Sequence, residues 1–263
     1  MGNAMAIKGA RCLVTGGARG IGKALAQALI ARGAAAVMVS DRDADALAAT
    51  AQELGCAAHA CDLTDADAPG ALVAEAEARL GGLDLICSNA GVLCPDTDPD
   101  DATSADDAAW TLSWELNVMA HVRLARAALP AMRAQGAGHF LMTVSAAGLL
   151  TMIGHAPYAV SKAAALSFAQ NLAITHGDQG IGVSVLCPQA VTTDMLSATP
   201  RPEAAMASAA LGVEETVATA LDGVEDGRFL ILPHADVADF AIKRAQDLDR
   251  WIGGMRKLRR TME

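Results

Sequence analysis

The only tyrosine of the chain, Tyr158, stands four residues before Lys162 in the stretch HAPYAVSKAAALSF. On a helix, positions i and i+4 share a face, so the phenol and the ammonium point into the same space. A cation within reach favours the phenolate and lowers a tyrosine pKa by roughly 1 to 3 units from a starting value near 10. The pair predicts a tyrosine tuned to take or give a proton at a substrate oxygen. Ser145, at the end of the fifth apolar run, would hold a hydroxyl beside that oxygen. Asn117 interrupts an apolar helical run in WELNVMAH, where its amide must find partners or cost stability.

A second set of residues has the types that bind a dinucleotide. In TGGARGIG, Gly16, Gly20 and Gly22 permit positive φ and close backbone approach to a pyrophosphate. Arg19 and Ile21 lie where this turn opens into a helix, whose first N–H groups lack intrahelical partners and carry partial positive charge. Asp41 ends the next apolar run about 20 residues on, where a carboxylate accepts from both ribose hydroxyls and repels a 2′-phosphate. That predicts NAD in preference to NADP, with Arg19 and Arg42 the adjacent cations able to offset the selection. Asp62 and Leu63 in CDLTD are placed to reach an adenine; the alternative for Asp62 is a helix N-cap, for which Thr64 or Asp65 is better placed. The small residues around Asn89, Ala90 and Gly91 leave room for a ribose.

These residues need elements that bring them together. Short apolar runs alternate with helical segments along the chain: RCLVTG, AAVMVSD, AAHACD, LDLICSNAG, GHFLMTVSA, IGVSVLCP and GRFLILP, each followed by a stretch of helical period. The pattern predicts an α/β fold: a single-domain, doubly wound parallel sheet of the Rossmann type, with about seven strands and helices on both faces. One domain is expected over residues 1–263, its core spanning about 7–232 and a C-terminal helical extension following over 233–263. Ligands of such sheets bind beyond the carboxyl ends of the strands, where most of the residues named above fall.

Composition narrows the function further. A net charge of -10 speaks against nucleic acid as a partner. The basic run RKLRR, residues 256–260, and the acidic run DTDPDDATSADD, residues 96–107, read as two solvated surfaces. Six cysteines without a CxxC pair argue for reduced thiols and no metal site. Neither a signal-peptide segment nor a membrane-length apolar run is visible, so a soluble cytoplasmic protein is expected.

Taken together, these motifs resemble the classical short-chain dehydrogenase/reductase family. Thr15 to Gly22 match its TGxxxGxG, Asn89 to Gly91 its NAG, and Asn117, Ser145, Tyr158 and Lys162 its catalytic tetrad. The resemblance implies that Tyr158 exchanges a proton with a substrate alcohol or ketone while hydride moves to or from nicotinamide. It further implies that Ser145 binds the reacting oxygen, that Lys162 binds the nicotinamide ribose and lowers the Tyr158 pKa, and that Asn117 positions a water. Pro188, Val191 and Thr193 fall where the family holds the nicotinamide carboxamide, but Gln189 replaces the usual glycine of PGxVxT. Leu149, Met152, His155, Gln189 and Met195 should line the substrate pocket, their apolar bias predicting a hydrophobic secondary alcohol or ketone. The tail helix with Trp251 would close over a pocket or dock on another subunit, and family members are commonly homodimers or homotetramers. Two alternatives carry different chemistry: an NADP-dependent carbonyl reductase, and a non-catalytic NADH-sensing protein. A sugar-nucleotide epimerase also uses YxxxK, but its larger substrate domain is missing.

Overall fold

The computed structural model describes residues 3–193 and 210–261. Among these residues, strands β1 (Arg11–Thr15), β2 (Ala36–Asp41), β3 (Ala57–Ala60), β4 (Leu85–Ser88), β5 (Gly138–Thr143), β6 (Ile181–Leu186) and β7 (Leu230–Ile231) form one sheet. Its order is β3-β2-β1-β4-β5-β6-β7, and every pairing is parallel. The seven-stranded, doubly wound reading from sequence is borne out.

Side-chain alternation explains why both faces are covered. Leu13, Ile86, Phe140, Met142 and Val185 point to one face, against α3 (Ala68–Leu80), α5 (Ala120–Gln135) and α7 (Ala156–His176). Cys12, Val14, Cys87, Leu141 and Leu186 point to the other, against α1 (Gly20–Ala31), α2 (Ala44–Leu54) and α8 (Val213–Glu225). Strands with apolar residues on both faces are therefore buried twice, as parallel sheets require. With aromatics scarce, alanines such as Ala125, Ala128, Ala165 and Ala169 let α5 and α7 approach the sheet closely.

The order reverses between β1 and β4, opening a crevice beyond their carboxyl ends. The region after β4 runs through α4 (Asp107–Trp114) and a π-turn over Glu115–Met119 before α5. After β5 comes the short α6 (Ala147–Leu150), so Ser145 lies two residues past the strand rather than ending it. The C-terminal extension forms α9 (Asp236–Gln246) and α10 (Leu248–Arg259). These helices fold back on their own chain: Val237 joins Ala146 and Leu150 of the α6 region in an apolar cluster, with Phe240 and Trp251 packed on it. The ring centroids of Phe240 and Trp251 are 6.2 Å apart.

Candidate active site

The crevice is tied together by Thr15, the last residue of β1. Its hydroxyl accepts from the backbone N–H groups of Asn89 and Ala90, at 3.0 and 3.2 Å. Asn89 answers by donating its Nδ2 to the Thr15 carbonyl at 3.1 Å, and it accepts from the Thr143 hydroxyl at 3.0 Å. The ends of β1, β4 and β5 are thus fixed to one another by hydrogen bonds that short polar side chains alone can make.

Around this frame the glycine turn fits a dinucleotide. A Cβ on Gly16, whose φ is 65°, would lie 3.0 Å from the Ala90 Cα, and one on Gly22 would run into the Gly16 carbonyl. Gly20 has a φ of 53° and faces Thr193. The N-terminus of α1 carries no side-chain cap and no acidic residue in its first turn, so its N–H groups suit an anion. Asp41 sits at the carboxyl end of β2, its carboxylate accepting from Ala18 N and Asp43 N, both at 3.2 Å. Arg19 pairs with Asp43 rather than with Asp41, and Arg42 is exposed.

The carboxylate of Asp62 is occupied in a local turn, accepting from the backbone N–H and hydroxyl of Thr64 at 3.0 and 2.8 Å. Those bonds hold its pKa below the usual carboxylate value, with the Arg42 charge a smaller contribution. Thr64 and Asp65 do not cap α3 as expected: Asp67 occupies the cap position, without a side-chain bond to the helix. Leu63 is buried in the core beside this turn.

Tyr158 and Lys162 lie on the first two turns of α7, with the Lys162 Nζ 5.7 Å from the phenol ring centroid. Lys162 is almost wholly buried and donates to the Thr143 carbonyl at 3.0 Å. Burial lowers its pKa to about 8. The sequence argument predicted a lowered pKa for Tyr158, and the structure corrects it. Burial pushes the phenol up, the Ser145 hydroxyl holds it down, and Cys187 adds a smaller upward push. A lysine that is itself hard to charge is a weak acidifier in this pocket.

Asn117 sits inside the π-turn, fully buried. Its Oδ1 accepts from Val92 N at 2.9 Å; its Nδ2 donates to Val92 O at 2.9 Å and to the Ser161 hydroxyl at 3.0 Å. Ser161 in turn donates to the Tyr158 carbonyl at 2.8 Å. Through Ser161 the amide braces the turn that carries the tyrosine. A Cβ on Gly91 would meet both Asn117 Oδ1 and Lys162 Nζ, so that position must stay small.

A match to the family model described as short chain dehydrogenase covers residues 10–204. The chain belongs to the short-chain dehydrogenase family. Its curated relatives include 1-deoxy-11-beta-hydroxypentalenate dehydrogenase of Streptomyces exfoliatus, 34% identical over 85% of this chain and 82% of that protein. Among solved structures, a short-chain dehydrogenase/reductase from Burkholderia phymatum in complex with NAD superposes with a TM-score of 0.83. It is 26% identical, over 93% of this chain and 96% of that one. A 7 alpha-hydroxysteroid dehydrogenase complexed with NADH and 7-oxo glycochenodeoxycholic acid gives 0.77 at 29% identity, over 88% and 94%. The protein is accordingly an oxidoreductase that moves hydride between a nicotinamide dinucleotide and an alcohol or ketone.

In this dehydrogenase the wall after β6 is held by a residue the sequence did not single out. His234 accepts from Gln189 N at its Nδ1, at 3.2 Å, and its Nε2 lies 3.1 Å from the Ala190 carbonyl, which can only accept. Nδ1 is therefore the accepting nitrogen and Nε2 the donor. Val191 forms an isolated parallel bridge with Leu211. Thr193 donates to the Val191 carbonyl at 3.3 Å, and buried Pro188 accepts from Ala146 N at 2.8 Å.

Of the expected substrate-pocket residues, Met195 lies outside the described residues. Leu149 packs into the core. Met152 lines a cavity of about 380 Å³ with Ala156 and Val160, which face away from Tyr158 across α7. His155 is buried, its Nδ1 bonding the Ile153 carbonyl at 3.1 Å and its Nε2 without a partner.

Two further features escaped the sequence reading. His121, one turn after Asn117, shares a 2.6 Å hydrogen bond with Ser88; burial first, then the Lys162 charge, lowers its pKa to about 3 and keeps it neutral. The acidic and basic runs are not simply two solvated surfaces: Arg259 of α10 pairs with Asp100, and Asp96 is buried.

Among the described residues, no helix is long and apolar enough to cross a membrane.

Proposed function

We propose that the protein is an NAD-dependent dehydrogenase of hydrophobic secondary alcohols, working through Asn117, Ser145, Tyr158 and Lys162. The observation that carries this reading is the convergence of the phenol, the Ser145 hydroxyl and the Lys162 ammonium beside the Thr15–Asn89–Thr143 frame. When bound, the nicotinamide supplies the hydride acceptor for oxidation or the donor for reduction. Tyr158 takes the hydroxyl proton at its Oη during oxidation and returns it during reduction. Ser145 holds the reacting oxygen, and its hydroxyl, which pulls the phenol pKa down, eases loss of the phenolic proton. Lys162 supplies the positive charge beside the phenol; Asn117 braces the turn, and any water it holds would be held mainly by its backbone, since both Nδ2 hydrogens are engaged.

Ser145→Ala tests the second role. Loss of one aimed donor is expected to lower kcat by about 10²-fold. It should also move the alkaline limb of alcohol oxidation to higher pH, because Ser145 is the group that pulls the phenol pKa down. A pH profile of kcat in both proteins reads this; an unmoved limb would remove Ser145 from the proton path.

For the cofactor, Asp41 supports NAD over NADP. Its carboxylate is oriented by two backbone N–H groups, while Arg19 is drawn to Asp43. Repulsion of a 2′-phosphate at ~4 Å is about 4 kcal/mol at an effective dielectric near 20. The NAD and NADH named in the related structures agree with this. Titrating intrinsic fluorescence with NADH and NADPH should show clearly tighter NADH binding. Asp41→Ser should narrow that preference by about tenfold or more, corresponding to at least ~1.4 kcal/mol. NADPH preference in the parent protein would instead support a carbonyl reductase relying on Arg19 and Arg42.

The relatives named for a hydroxypentalenate and a hydroxysteroid support an alcohol on a hydrophobic carbon skeleton as substrate. The reading extends to one catalytic domain with a helical extension after residue 232, in a cytoplasmic homodimer or homotetramer. Exposed Trp114, Val160 and Ile174 support the oligomer, and six unpaired thiols the reducing compartment.

A further inference from the structure

The helix that carries Tyr158 and Lys162 begins without a cap of its own. His155, in the cap position of α7, makes no side-chain bond to the first turn, and Pro157 follows at once. The missing acceptor comes from the acidic run, 60 residues earlier in the chain. Asp96 Oδ1 accepts from the Ala156 N–H at 3.0 Å, and Asp96 N donates to the Gly154 carbonyl at 2.8 Å. Asp96 is only 8% exposed, unlike most of the aspartates around it.

The segment so gripped is strained. Thr151, just after α6, has φ 67° and ψ 175°, a conformation that is essentially confined to glycine and that persists only where the surroundings impose it. Residues 151–155 connect Ser145 and α6 to Tyr158, so the grip at Gly154 and Ala156 sets the spacing between the two functional hydroxyls. A carboxylate at the N-terminus of a 21-residue helix is also favoured by the helix dipole. Asp100 continues the same run to Arg259, linking it to α10.

We propose that Asp96 is a positioning residue for the reaction, a tertiary cap that fixes Tyr158 against Ser145. It touches neither substrate nor cofactor and acts through the Ala156 N–H and the Gly154 carbonyl. The proposal rests on Tyr158 being the proton carrier.

Asp96→Ala and Asp96→Asn test it, assayed for alcohol oxidation well below each protein's Tm. Displacing reacting groups by about 1 Å costs on the order of 10²-fold, so Asp96→Ala should lower kcat by ~10- to 100-fold while KM for NAD changes far less. Asp96→Asn keeps an accepting oxygen and should recover most of the lost kcat. Wild-type kcat in Asp96→Ala with only a lower Tm would overturn the proposal, as would Asp96→Asn being as slow as Asp96→Ala. Should Asp96→Ala fail to fold, amide exchange in the wild-type protein decides. Ala156 N–H should be protected relative to Asp236 N–H, the first amide of α9, which also lacks a side-chain cap. Equal exchange sinks the cap. Tyr158→Phe in the same assay separates the two readings: if it turns over normally, the role of Tyr158 fails, whatever the exchange data say of Asp96.

Discussion

Tyr158→Phe is expected to lower turnover by about 10³-fold, within the 10²- to 10⁴-fold range that a positioned acid–base group contributes. The substitution deletes one oxygen from a half-buried side chain that lies beside Lys162. Because the phenol is neutral until high pH, its removal takes no charge out of the protein and leaves the packing of α7 intact. NADH binding should therefore survive, and with it the fluorescence signal that shows the site is folded. The pH dependence is the sharper readout. In the wild-type enzyme alcohol oxidation should accelerate as pH rises, because a phenol pushed up by burial accepts a proton only after losing its own. Reduction should run the other way. In the phenylalanine variant the residual rate should lose that slope. Activity within tenfold of wild type, slope unchanged, would assign the proton to another group.

What sequence can show of this protein depends on the distance over which each feature is encoded. Tyr158 and Lys162 are four residues apart on one helix, so their shared face was legible from spacing alone. Doubly buried strands were legible too: Leu13 and Val14 face opposite sides of the sheet, and each needs a helix to cover it. Asp96 was not legible. Its partner Ala156 is 60 residues away, and a carboxylate in DTDPDDATSADD has the composition of a solvated loop until the fold brings a helix end to it. His234 is similar, recruited to Gln189 across 45 residues by the turn after β7. The direction of the Tyr158 shift failed for a different reason. Sequence shows the neighbouring charge but not the burial, and burial is the largest contribution. The same burial acts on Lys162 and weakens the very charge the sequence argument relied on.

That cost to Lys162 leads to a variant that should be more stable and nearly dead. Lys162→Met removes the ammonium from beside the phenol, and the loss of turnover should be on the order of 10²- to 10³-fold, comparable with loss of an aimed electrostatic group. Stability should move the opposite way. The folded pKa of Lys162, about 8, lies below the ordinary lysine value of 10.5. Between those values the unfolded chain binds more protons than the folded one, so wild-type stability rises with pH across the window. Below about pH 8 the lysine is charged in both states and the full penalty of burying it is present. A gap of about 2.5 pH units corresponds to about 3 kcal/mol. Methionine fills the space with an unbranched apolar chain and carries no such penalty. It leaves the Thr143 carbonyl without its donor, which returns about 1 kcal/mol. A net gain near ~2 kcal/mol should raise Tm at pH 7 by several degrees, at about 2 to 4 °C per kcal/mol for a chain of this size. The advantage of the variant should shrink as both proteins are taken from pH 8 toward 10.5, a comparison in which titrations common to both cancel. A lower Tm at pH 7, or a difference that does not vary with pH, would mean that the buried ammonium is compensated by its surroundings. The expected outcome places Lys162 in a position that stability alone would not retain.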